Sequence, residues 1–99
     1  MKTSEVLRKG GDLLRERGWV QGEMESSRGF CAIGAIRKAG DGDINHPQPL
    51  RDIVCDGIAN VDFWNDQPSR TKEDVLASMD AAFVLALQEE GADLDEVFA

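Results

Sequence analysis

Phe30-Cys31-Ala32-Ile33-Gly34-Ala35-Ile36 is apolar on every side and gives way to Arg37-Lys38-Ala39-Gly40. A run this uniform is either a buried strand or a buried helix, and periodicity alone does not separate the two. Composition does. Ala32, Ala35 and Ala39 favour helix, Arg37 and Lys38 suit a last turn, and Gly40 suits a stop. The run therefore reads as a central helix. Gly34 in its middle costs about 1 kcal/mol relative to alanine, a cost that close approach of another helix would justify.

The flanking segments read as helices that cover this one. Ser4 is a cap for a first helix, with Glu5 in the first turn, Val6, Leu7, Gly10, Leu13 and Leu14 at helical spacing, and Gly18 as terminator. Trp19-Val20 packs under that helix, and residues 21–29 read as a polar loop. After an irregular connection over residues 41–48, Pro49 opens a third helix carrying Leu50, Ile53, Val54 and Ile58. Thr71, with Glu73 and Asp74 behind it, caps a last helix whose stripe is Val75, Leu76, Met79, Ala82, Phe83, Ala86 and Leu87, ended by Gly91. Four helices with short connections predict an all-α, compact single domain over residues 1–91, followed by an acidic C-terminal tail at 92–99.

Length and charge narrow the function. Ninety-nine residues make one domain. No apolar run approaches the roughly 18 residues of a membrane span, and the charged amphipathic N-terminus does not read as a signal peptide. Cys31 and Cys55 are too few for a disulfide scaffold and fit a reducing cytoplasm. The net charge of −8 argues against direct binding of nucleic acid through phosphates. Residues 1–40 carry a net +3 and residues 41–99 a net −11. Such a split guides self-association into a homo-oligomer or attracts a basic partner, unless both faces are simply solvated.

Three motifs stand out: Gly18-Trp19, then Cys31 to Ile36, then Trp64-Asn65-Asp66 with Arg70, Thr71, Asp74, Val75 and Leu76. Together they resemble a family of small proteins, a domain of unknown function, found in actinobacteria and their bacteriophages. The resemblance spans about residues 4 to 88, and the third motif is the most specific. It implies a compact helical domain and an actinobacterial or phage source, and it implies no activity. The segment between the first two motifs is short here, and the acidic tail is particular to this chain.

Cys31 near a helix start, with His46 and Asn65 or Asp66 later, follows the order of a papain-like cysteine enzyme, in which a helix N-terminus lowers the thiol pKa and the histidine is the base. Cys31 nevertheless sits in an apolar run, where a structural cysteine is common. Asp41-x-Asp43-x-Asn45 with Asp52 at the twelfth place outlines an EF-hand, but His46 stands where the sharp turn needs glycine, and Pro47 and Pro49 fall at the seventh and ninth places. An ordinary polar loop is the reading. Zinc-ligand spacing and a glycine-rich phosphate loop are absent, so no cofactor or metal is expected.

Trp64, Asn65, Asp66 and Arg70 form the candidate interaction cluster. Functionally, the three polar residues would converge on a small polar ligand or a peptide backbone. Structurally, Trp64 plugs the core, Asn65 and Asp66 bond local backbone in a turn, and Arg70 pairs with Asp66 ahead of the Thr71 cap. The structural account needs no ligand. The overall expectation is a small acidic cytoplasmic protein that is not an enzyme and works by binding another protein, such as a host protein. Two alternatives belong to different classes: a cysteine-dependent hydrolase using Cys31 and His46, and an acidic decoy of a nucleic-acid-binding host protein.

Overall fold

A computed structural model describes residues 2–42, 47–54 and 60–97. Helix α1 spans Thr3–Arg17 and is followed by a two-stranded antiparallel hairpin, β1 (Glu25–Ser26) and β2 (Gly29–Phe30). Helix α2 (Ala32–Ala39) follows at once, then α3 (Gln48–Val54), α4 (Val61–Asn65), α5 (Lys72–Glu89) and α6 (Leu94–Val97). The chain is mostly helical and compact, as the sequence indicates. It departs from an all-α, four-helix description in two respects: the hairpin, and the two short helices α4 and α6.

The apolar run divides into three parts. Phe30 belongs to β2, Cys31 is the N-cap, and Ala32 to Ile36 are buried on every side as the first five residues of α2. Helix α1 packs on both α2 and α5, and α5 also carries α3, so α1 joins the buried α2 to the rest of the apolar cluster. Val6, Leu7 and Leu14 of α1 meet Ile33 and Ile36 of α2 and Val75, Met79, Ala82 and Ala86 of α5 in that cluster. The α5 stripe is the one expected from spacing, and its capping box is complete. Thr71 Oγ1 accepts from the Asp74 N–H at 3.1 Å, and Asp74 Oδ2 accepts from the Thr71 N–H at 3.1 Å.

Two local expectations are corrected. Ser4 is not the cap of α1: the helix begins at Thr3, and Lys2 at the N-cap offers no side-chain acceptor. The cap comes from the other end of the chain. Glu90 accepts from the Ser4 hydroxyl at 2.6 Å and from the Ser4 N–H at 3.1 Å, binding the last turn of α5 to the first turn of α1. Gly34 is not relieved by a neighbouring helix either. A Cβ there would overlap the Met24 carbonyl oxygen, so the glycine admits the loop ahead of the hairpin onto α2. The Cys31 N–H donates to that same carbonyl at 3.2 Å.

The hairpin is held from behind by the segment after α1. The Phe30 N–H donates to the Gly18 carbonyl and the Val20 N–H to the Phe30 carbonyl, both at 3.0 Å, in a parallel bridge. Gly29 (φ +139°) lies so close to Gly18 that a side chain would strike its backbone. Among the described residues, no helix is long and apolar enough to cross a membrane.

Candidate functional site

Helix α4 positions the Trp64 cluster. Asn60 caps it by accepting from the Phe63 N–H at 2.7 Å, and the next five residues form one and a half turns. At 100° per residue, Val61, Trp64 and Asn65 share the inward side, and all three are buried. Asp62 and Asp66 fall together on the flank, and Phe63 on the outward side beyond them.

Asn65 is wholly buried and makes every hydrogen bond its amide permits. Its Oδ1 accepts from Trp19 Nε1 at 2.7 Å and from the Ala32 N–H at 3.0 Å. Its Nδ2 donates to the Val20 carbonyl at 3.2 Å and to Asp66 Oδ1 at 2.9 Å. One side chain thus ties the chain after α1, the first turn of α2 and the end of α4. Asp66 Oδ1 also accepts from the Gly22 N–H at 3.0 Å, while Gln21 donates to the carbonyls of Asn65 and Gln67. Apart from the Asn65–Asp66 bond these are long-range bonds, not the local backbone bonds expected for Asn65 and Asp66.

Trp64 plugs the core as expected, and Arg70 covers it. The guanidinium lies 4.4 Å from the indole centroid, and Nε donates to the Trp64 carbonyl at 3.0 Å. The expected Arg70–Asp66 pair is replaced. Arg70 Nη1 stands 4.0 Å from Asp74, because Pro68 and the turn around it break the helical spacing that would have faced Asp66.

Cys31 is the N-cap of α2, buried, with Sγ accepting from the Gly34 N–H at 3.3 Å. Burial pushes its thiol pKa up. The Gly34 hydrogen bond opposes that shift, and the carboxylates of Asp62 and Asp66 add to it. The thiol borders a cleft of about 200 Å³ lined by Gly22, Glu23, Met24, Cys31, Asp62 and Asp66. His46, the partner required for a hydrolase, lies outside the described residues, as does Cys55.

The EF-hand outline is only partly placed. Asp41 (φ +52°) sits in the turn after α2, and Asp52 in α3 accepts from Gln48 at 2.6 Å, whereas Asp43 and Asn45 are outside the described residues. Among the described residues, no three acidic, histidine or cysteine side chains are grouped to hold a metal ion. Glu23, Met24 and Asp62 were not singled out from sequence. The available signal for Asp62 was Asn60 as a cap, which would have put residues 62 and 66 on one face.

The fold and this arrangement define a compact, mostly helical domain whose inner polar cluster is satisfied by its own chain. A family described as a family of unknown function (DUF6197) matches residues 1–84, and the chain belongs to it. No curated protein and no solved structure matches the chain.

Proposed function

We propose that this domain is a protein-binding module that acts without covalent chemistry, through the face around Met24 and Phe63. One observation carries the reading: these two large hydrophobic side chains are 44% and 56% exposed, whereas the apolar residues of the cluster beneath them are buried. Exposed apolar anchors rimmed by polar groups are the common form of a protein contact site. The environment of Cys31 supports the same choice. Burial and two adjacent carboxylates keep the thiol protonated, the reverse of the electropositive surroundings that activate a nucleophilic cysteine. The motif resemblance extends the proposal to an actinobacterial or phage source and action in the cytoplasm.

Affinity capture from actinobacterial lysate tests it, using the parent, a Met24→Ser/Phe63→Ser variant and Cys31→Ser. The expected result is one partner retained by Cys31→Ser, lost by the double variant, and still held at roughly 300 mM salt, where interactions between exposed charges are screened beyond a few ångströms. Loss of all captured protein at that salt would favour the acidic decoy. Thiol-dependent turnover abolished by Cys31→Ser would favour the hydrolase.

A further inference from the structure

The two exposed hydrophobic side chains stand beside unpaired carboxylates. Met24 shares its cleft with Glu23, Asp62 and Asp66, and Phe63 follows Asp62 on α4. None of these three carboxylates forms a salt bridge among the described residues. Arg37 comes near, but its Nη1 meets the Met24 sulfur at 3.4 Å rather than an acid. Asp66 commits Oδ1 to Asn65 and Gly22, and its Oδ2 accepts no hydrogen bond among the described residues.

Building on the binding-module reading, we propose that this face docks a basic segment of a partner protein, with one arginine side chain of that segment seated in the cleft between residues 22–24 and α4. Size favours a side chain over a metabolite. The cleft holds about 200 Å³, below the roughly 300–1,000 Å³ of small-molecule sites. Charge selects a cation, because Asp62 and Asp66 on one flank of α4 and Glu23 on the facing loop line one cleft with no salt-bridge partner among the described residues. Shape and hydration select arginine. Its planar fork takes two carboxylates at once, and a guanidinium sheds water more readily than an ammonium when it enters a cleft walled by Met24 and Cys31. Phe63 then covers an apolar neighbour of that arginine, pairing an anchor with a charge as binding hot spots do. The −11 carried by residues 41–99 steers such a segment toward this half of the molecule.

The test is a titration of the isotope-labelled full chain with the blocked tripeptide Leu-Arg-Leu and with its neutral citrulline analogue, followed by amide shifts. Saturable shifts at Gly22, Glu23 and Asp62 are expected with the arginine peptide. Binding should weaken about tenfold or more with the citrulline analogue, or with Asp62→Asn, through loss of a charge-assisted hydrogen bond. Glu23→Gln, on an exposed loop, carries the same comparison if Asp62→Asn disturbs the first turn of α4. Absence of saturable shifts, or equal affinity for the two peptides, overturns the proposal. If the peptide fails to bind while Met24→Ser/Phe63→Ser still abolishes partner capture, the arginine cleft falls and the binding module stands. If the peptide binds while capture is unaffected by that variant, the module falls, and the docked segment falls with it.

Discussion

Replacing Asn65 by alanine removes four hydrogen bonds and leaves their partners in unequal positions. The Ala32 N–H and the Val20 carbonyl are buried and lose the partner each has in Asn65. Trp19 Nε1 belongs to a half-buried side chain, and Asp66 is exposed and keeps the Gly22 N–H, so water replaces what these two lose. Each stranded buried group costs about 1–3 kcal/mol, so the pair costs about 4 kcal/mol before any cavity is counted. That is a large share of the roughly 5–15 kcal/mol that holds a typical domain. For a chain of this length the melting midpoint should fall by roughly 15–30 °C. Asp66→Ala removes one exposed and one part-buried acceptor bond and should cost about 1–2 kcal/mol. Paired thermal and urea melts read both variants. An Asn65→Ala protein within about 1 kcal/mol of the parent, or equal losses from the two variants, would refute the assignment of Asn65 as the junction of three segments.

Other outcomes follow from the same geometry. Gly34→Ala should destabilise by about 1–3 kcal/mol, because the added methyl overlaps the Met24 carbonyl and the loop must shift; a neutral result in urea melts would place the loop elsewhere. Glu90→Ala should cost about 1 kcal/mol, the usual worth of a helix cap, and raise amide exchange at the start of α1. Glu89→Ala, whose carboxylate makes no such bond among the described residues, is the matched control. The Cys31 thiol has a folded pKa above its unfolded value of about 9.0. Between those two pH values the native state keeps a proton that the unfolded chain has lost. Stability is therefore intact below about pH 9.0 and declines as pH rises through the folded value. Cys31→Ala should flatten that decline in urea melts at successive alkaline pH values, and parallel slopes would show that burial does not act on the thiol.

The long elements were legible because their signals repeat. Helix α5 shows its stripe over five turns and its capping box at Thr71 and Asp74, so spacing and cap agree. Helix α2 was legible from its alanines, although Phe30 and Cys31 belong to the strand and the cap before it. The hairpin was not. Strands of two residues cannot display alternation, and β2 is fixed by the Gly18 and Val20 backbone some ten residues earlier. Helix α4 is too short for a 3.6-residue period to recur, leaving Asn60 as its one local sign. The cap of α1 lies 86 residues away in Glu90, beyond the reach of any local rule.

The Trp64-Asn65-Asp66 motif was difficult to assign because one short helix gives its residues different environments. Trp64 and Asn65 point inward and are consumed by the fold, one under Arg70 and the other among Trp19, Val20, Ala32 and Asp66. Asp66 stands at the boundary, with one oxygen committed to the chain and its other side turned to the cleft with Asp62. Reading the cluster as a unit forces a choice between structure and binding that the helix does not make. A rotation of 100° per residue separates the two demands within six positions. Stability and docking should therefore separate under mutation. Changes at Trp64 and Asn65 act on the fold, whereas changes at Asp62 and Phe63, which supply none of the buried cluster, act on what the face can hold. A single helix turn can thus be indispensable to the core on one side and free to vary on the other.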